Sequence, residues 1–155
     1  IYNIIGVEKN IKFKVGDYQS SARLDLIVQS KATGDYYILD TKTAGFSKFT
    51  AEQALHLGDQ ATTYIYAARY ALGIPVHGLI GDILYWNKQS NDPNKIECFR
   101  TDVIQRSDRE LAEWKLGTNQ TNSEMAQKVR AVLDGESDPA IFARNTHYCM
   151  SFFRR

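Results

Sequence analysis

The sequence predicts a layered α/β (α+β) domain, a β-sheet flanked by helices. Three observations predict it. Several stretches alternate apolar and polar residues with the two-residue period of strands, and one long segment switches to the three- and four-residue steps of a helix. The order strands, helix, strands, helix then suits a sheet covered by helices. The length of 155 residues, with 43% hydrophobic and 24% charged, fits one domain of ordinary size and excludes global disorder. The chain starts without Met at Ile1-Tyr2-Asn3, in what reads as mid-strand, and stops at Phe152-Phe153-Arg154-Arg155. Residues 1–155 are therefore read as a single domain truncated at both ends, so that features absent here can lie outside it.

Residues 1–15 form the first strand pattern, with Glu8-Lys9-Asn10 as a turn or strand end. Ala22 to Gln29 and Tyr36 to Thr43 are the next two, and Ser30-Lys31-Ala32-Thr33-Gly34-Asp35 between them is turn chemistry, which makes the pair a β-hairpin. From Thr50 to Leu72 the residues Ala54, Leu57, Ala61, Ile65, Ala68 and Leu72 trace the stripe of one core-facing helix. Thr50 with Gln53 is a capping box at its start, and Gly73-Ile74-Pro75 is a stop at its end. Val76 to Trp86 and Lys95 to Val103 read as strands joined by the polar loop Asn87 to Asn94. Ser107 with Glu110 is a second capping box, opening a helix to about Leu133 that Gly117 to Asn122 can interrupt; Gly135 to His147 reads as irregular.

Composition narrows function only coarsely. A formal charge of +1 argues against a histone-like basic coat and against an acidic tail. No apolar run reaches the ~20 residues of a membrane span, and no signal peptide is visible. Two cysteines, Cys98 and Cys149, make no disulfide framework and favour a reducing, intracellular compartment. Cys98, inside a strand pattern, reads as a small buried apolar residue. Gly78-Leu79-Ile80-Gly81 lacks phosphate-loop spacing, and no Ser/His/Asp elbow is present. Arg144, Arg154 and Arg155 with Tyr148, Phe152 and Phe153 form a basic aromatic mixture that suits single-stranded nucleic acid or a truncated core element equally.

The informative residues are polar groups on strands. Aspartate is disfavoured in strand interiors, yet Asp25 sits within Arg23-Leu24-Asp25-Leu26-Ile27-Val28 and Asp40 ends the run Tyr37-Ile38-Leu39. Asp40 and Lys42 share one sheet face and Thr41 takes the other. If the hairpin loop is Lys31 to Gly34, Asp25 faces Asp40 directly across the two strands, with Cβ atoms roughly 5 Å apart. Two facing carboxylates repel unless a cation or proton lies between them. A divalent cation is the natural solution, since Mg²⁺ takes one or two carboxylates and completes its shell with water and phosphate. Lys42 beside it could stabilise charge on a phosphate or help activate a water, which is the chemistry of phosphodiester hydrolysis. The plainer alternative is an exposed Asp40–Lys42 strand-end pair, with Asp25 a partner of Arg23.

Arg23-Leu24-Asp25-Leu26-Ile27 followed by Ile38-Leu39-Asp40-Thr41-Lys42-Thr43-Ala44 and Gln60-Ala61-Thr62-Thr63-Tyr64 resembles the PD-(D/E)xK nuclease superfamily, in particular its RecB-like branch of phage-type exonucleases and CRISPR-associated relatives. That branch reads Gly-x-x-Asp, Asp-x-Lys-Thr and Gln-x-x-x-Tyr, and here Ala22 stands at the usual glycine. The motifs cover residues 8 to 70. The resemblance implies a restriction-endonuclease-like core with a mixed central sheet, and Mg²⁺- or Mn²⁺-dependent DNA cleavage, most naturally as an exonuclease of recombination, repair or phage DNA processing in a bacterial or phage-encoded cytoplasmic setting. It implies Asp25 and Asp40 as metal ligands with the backbone carbonyl of Thr41, Lys42 as catalytic lysine, and Glu8 as an additional acid near the metal. It implies Gln60 and Tyr64, one helical turn apart, as DNA contacts. A catalytically inactive nucleic-acid-binding module of the same fold, or a phosphohydrolase acting on small nucleotides, is the alternative. The His that many members carry lies upstream of the region present, and none of His56, His77 or His147 stands in its place. Asn145-Thr146-His147-Tyr148-Cys149 resembles the entry to an iron–sulfur ligand group, but a [4Fe–4S] cluster needs four thiolates, so only a longer chain could hold one.

Overall fold

The computed structural model describes residues 2–45, 48–86 and 96–135. Five strands, β1 (Tyr2–Val15), β2 (Tyr18–Ser30), β3 (Tyr36–Ala44), β4 (Val76–Trp86) and β5 (Ile96–Arg100), form one sheet in the order β1-β2-β3-β4-β5. β3 and β4 run parallel and the other neighbours antiparallel, so the sheet is mixed. A parallel pair needs a crossover, and α1 (Lys48–Leu57) with α2 (Asp59–Tyr70) supplies it; α3 (Asp108–Leu133) follows β5.

One sheet face carries the main core. Ile27, Ile38 and Leu79 stand side by side on β2, β3 and β4 and pack with Ala61, Ile65 and Ala68 of α2, all fully buried. On the other face Val28, Leu39 and Ile80 form a smaller cluster with Tyr2, Leu26 and Tyr37. Alternation holds until residue 25 and then changes phase. Leu24 joins the same cluster as Ile27, three residues away, which strict alternation forbids. Opposite that point, between the pairs Val7↔Leu26 and Lys9↔Leu24, Glu8 adopts φ +48°, the one non-glycine residue in the left-handed region among the described residues. The expected turn at Glu8-Lys9-Asn10 is thus a local inversion inside a continuous strand, which turns Ile11, Phe13 and Val15 toward the core.

The single helix expected from Thr50 to Leu72 is two helices. Gly58 breaks it with φ −75° and ψ 150°, serving as N-cap of α2. A Cβ at Gly58 would lie 2.6 Å from the Ala54 carbonyl oxygen, so only glycine allows this approach. The break rotates the apolar stripe: Leu57 is 83% exposed, and Leu55 takes the buried place at 5%. α1 begins at Lys48, which puts Thr50 inside the first turn and not at the cap. α2 ends as expected, with Gly73 at φ +67° just beyond.

The Ser107–Glu110 capping box is present in both directions. α3 then runs unbroken through Gly117–Asn122, where Thr121 Oγ1 donates back to the Gly117 carbonyl at 3.0 Å and Gln120 to Glu124 at 3.0 Å. The polar run is a solvated helix face, and one glycine costs a helix only ~1 kcal/mol. β5 is shorter than expected because Thr101 turns to bond Gly81, its N–H donating to the Gly81 carbonyl at 2.9 Å. As an edge strand β5 leaves Cys98 exposed, correcting the buried placement. The loop 87–94 and the irregular segment after Gly135 lie outside the described residues. None of the described helices is long and apolar enough to cross a membrane.

Candidate active site

The β2–β3 hairpin sets the geometry. Its turn closes through Gly34 N–H to Ser30 O at 2.8 Å and Ser30 N–H to Asp35 O at 2.8 Å, with Gly34 at φ +81° as type-specific turn chemistry requires. The ladder then pairs Gln29↔Tyr36, Val28↔Tyr37, Ile27↔Ile38 and Leu26↔Leu39. This is the register expected from the sequence, and the paired ladder ends one step short of Asp25 and Asp40. Beyond the paired residues the Asp25 carboxylate accepts from Thr41 N–H at 3.1 Å.

Asp40 is 1% exposed, which excludes the exposed-pair alternative for that residue. Lys42 Nζ lies 3.2 Å from Oδ1, with hydrogen-bond alignment, and 2.9 Å from Oδ2, without it. Oδ2 therefore feels a charge but receives no directed hydrogen bond, and it is buried. Gln60 Nε2 donates to Asp40 Oδ1 at 3.3 Å and to Tyr64 Oη at 2.9 Å. Burial pushes the Asp40 carboxyl above the ordinary aspartate range; Lys42 opposes this, and the Asp25 charge adds to it. Asp40, Lys42, Gln60 and Tyr64 are thus joined in one connected group, with the Asp25 charge acting on it from β2.

The other expected residues lie beside this group or outside the described residues. Glu8 stands beside Asp25 in the strand register, but its carboxylate is held by Arg23 at 3.1 Å. Thr41 turns its side chain to the opposite sheet face, onto a cavity of about 390 Å³ with Asp82, Cys98 and Arg100. Cys149 and His147, with the basic aromatic residues after 140, lie outside the described residues. His56 ends α1, and His77 is exposed against Tyr37 and Gln105.

Sequence reasoning missed two glycines and an arginine. Gly81 is the β4 neighbour of Asp40, and a Cβ there would run into Leu55 Cδ2 and meet Thr101 Cγ2 at 3.1 Å. Its missing side chain lets α1 close over the carboxylate. Gly78 likewise admits the Ile104 carbonyl, which a Cβ would meet at 2.6 Å. Glycine within a strand signals such an approach, so the Gly-x-x-Gly is a packing device. Arg106 is the third.

The donor set suits a hard divalent cation. Two carboxylates lie near enough for the Asp25 charge to act on Asp40, whose buried Oδ2 lacks a directed hydrogen bond, and Mg²⁺ typically takes only one or two protein carboxylates. Among the described residues no group of three or more His, Cys, Asp or Glu is placed to hold a metal.

Comparison with known proteins adds the family. A model of the PD-(D/E)XK nuclease superfamily matches residues 2–151. Among solved structures, one titled "Crystal structure of SSO0001" is similar at 19% identity and a TM-score of 0.38, over 72% of this chain and 48% of that one, so the chain spans about half that protein's length. No protein with a curated description matches.

Proposed function

Because the chain belongs to the PD-(D/E)XK nuclease superfamily, we propose that Asp25, Asp40 and Lys42 form a metal-dependent centre that hydrolyses DNA phosphodiester bonds. The observation that carries this reading is the buried Asp40 carboxylate, within reach of the Asp25 charge and touched by Lys42, with one oxygen lacking a directed hydrogen bond. Held between Asp25 and Asp40, Mg²⁺ or Mn²⁺ would supply a bound water of lowered pKa and neutralise phosphate charge. The Thr41 carbonyl is proposed as a further ligand; Glu8, occupied by Arg23, is at most an outer acid.

The chain's own residues do the rest. Burial in a low-dielectric pocket strengthens each charge interaction with a bound phosphate. Lys42, partly solvent-accessible, can swing its ammonium between Asp40 and an entering phosphate, giving up one partner for another as charge develops. Gln60 holds the Asp40 oxygen that Lys42 also touches, and Tyr64 holds Gln60, so the carboxylate keeps its aim when Lys42 moves. The Tyr64 hydroxyl and the Gln60 carboxamide also give this helix face polar groups for DNA. The exonuclease assignment, and a role in recombination, repair or phage DNA processing inside the cell, rest on motif resemblance to the RecB-like branch.

End-labelled DNA incubated with Mg²⁺ or Mn²⁺ tests the proposal. Cleavage is expected from the native chain and not from Asp40→Ala or Lys42→Ala. Cleavage surviving both substitutions overturns the site, and DNA binding without cleavage by the native chain marks an inactive binding module. Turnover insensitive to salt would point to small nucleotides, because polymer binding weakens steeply as salt rises.

A further inference from the structure

Gln60 sits in the first turn of α2, the least supported place in a helix. The first N–H groups there have no partner within the helix, and the N-cap Gly58 offers no side-chain hydrogen bond. The preceding helix α1 stops one residue earlier, leaving its own last carbonyls open. Yet Gln60 must hold a fixed aim, since its one carboxamide nitrogen serves both Asp40 and Tyr64.

A single side chain grips both sides of this break. Arg106, in the connection between β5 and α3, donates from Nη2 to the carbonyl of His56 in the last turn of α1. From Nε it donates at 2.9 Å to Oγ1 of Thr62, a buried residue in the first turn of α2. Its third bond, Nη1 to the Gln105 carbonyl at 2.8 Å, fixes the guanidinium plane. The Arg106 carbonyl in turn accepts from Arg69 Nη1 at 3.1 Å, and Arg69 Nε reaches the Val76 carbonyl at 3.0 Å, anchoring the clamp to the start of β4. A cation also suits the carboxyl end of α1, where the helix dipole is negative. A guanidinium presents several donors in a fixed plane from separate nitrogens, whereas lysine offers a single nitrogen on a flexible stem.

We infer that Arg106 is a positioning residue: its guanidinium locks the α1–α2 break and so aims Gln60 at Asp40. The inference rests on the proposed nuclease site for its consequence in turnover, though its structural half does not. Arg106→Ala, Arg106→Lys, Gln60→Ala and the double variant Gln60→Ala/Arg106→Ala are to be compared on DNA with Mn²⁺, with kcat and KM resolved. Side-chain carboxamide resonances of Gln60 are followed by NMR in the chain without metal. Losing a group that orients a metal-binding carboxylate typically costs about 10- to 100-fold. Arg106→Ala should lower kcat about tenfold with little change in KM, shift the Gln60 resonances, and add less than about twofold in the Gln60→Ala background. Arg106→Lys should fall between the two. Multiplying effects in the double variant, or Gln60 resonances unmoved by Arg106→Ala, overturn the inference. If Arg106→Ala does not fold, Thr62→Val removes one acceptor with little change of shape, and unshifted Gln60 resonances in it overturn the inference equally. Absence of cleavage by the native chain sinks the nuclease reading alone, because the resonances still decide the role of Arg106.

Discussion

Two aspartate–cation pairs stand on adjacent strands and differ in almost every respect. Asp40 of β3 faces the helices, is 1% exposed, and meets Lys42 through one aligned oxygen. Asp82 of β4 faces the open side of the sheet and meets Arg100 across the β4–β5 ladder with both oxygens, at 2.6 and 2.9 Å. The Arg100 pair is complete. Its fork geometry satisfies each carboxylate oxygen, and Asp82 holds the guanidinium charge more firmly still. The Asp40 pair is buried, partly satisfied, and next to a second acid, so its carboxyl is displaced upward by burial. A complete exposed pair has nothing left to offer, whereas an incomplete buried one has an oxygen for a third party. On the proposed reading, that difference separates a structural ion pair from a reactive one.

Breaking the inner pair should have the largest effect. Asp40→Asn is expected to lower cleavage roughly 10³-fold or more, since charge stabilisation by a metal amounts to several kcal/mol. Lys42→Ala should cost about 10²- to 10³-fold in kcat, the loss of one charged group acting on the transition state. Both are read from single-turnover rates on end-labelled DNA.

Stability should move the other way. A raised carboxyl means that the folded chain holds the Asp40 proton more tightly than the unfolded chain does. The stability linked to that proton is complete below the ordinary aspartate value of 3.8 and is lost as pH rises through the higher folded value. Metal-free Asp40→Asn should therefore have the higher Tm at neutral pH, by about 2–4 °C for each kcal/mol relieved, with the gap closing as pH falls toward 3.8. Adding Mn²⁺ should reverse the order by stabilising only the native carboxylate, by about 2.7 kcal/mol at a hundredfold excess over Kd. Melting curves across pH, with and without metal, check both. The smallest effect belongs to the outer pair. Asp82→Asn should change stability by no more than about 1 kcal/mol and cleavage by less than twofold.

The contrast also marks what the sequence could disclose. The hairpin register was legible because Lys31 to Gly34 is a turn of definite length, and length fixes which strand residues face one another. Gln60 and Tyr64 were legible through the motif resemblance, and the four-residue spacing that puts them on one helix face survives the break at Gly58. The break itself was hidden: an apolar stripe running across Leu57 outweighed one glycine, and the deciding contact, Gly58 against the Ala54 carbonyl, belongs to the folded backbone. Gly81 and Arg106 were hidden for a related reason. Their partners, Leu55, His56 and Thr62, are far away in sequence, and no local pattern announces them. Glu8, which the resemblance alone suggested, stands next to Asp25 in the strand register with its carboxylate paired to Arg23.

The most direct test sets the two aspartates side by side. End-labelled DNA is incubated with Mn²⁺ and the native chain, Asp40→Asn or Asp82→Asn, each first shown to be folded by its melting curve. The site described here predicts cleavage by the native chain and by Asp82→Asn, and none by Asp40→Asn. Cleavage by Asp40→Asn at the native rate, or equal loss in both variants, would contradict it.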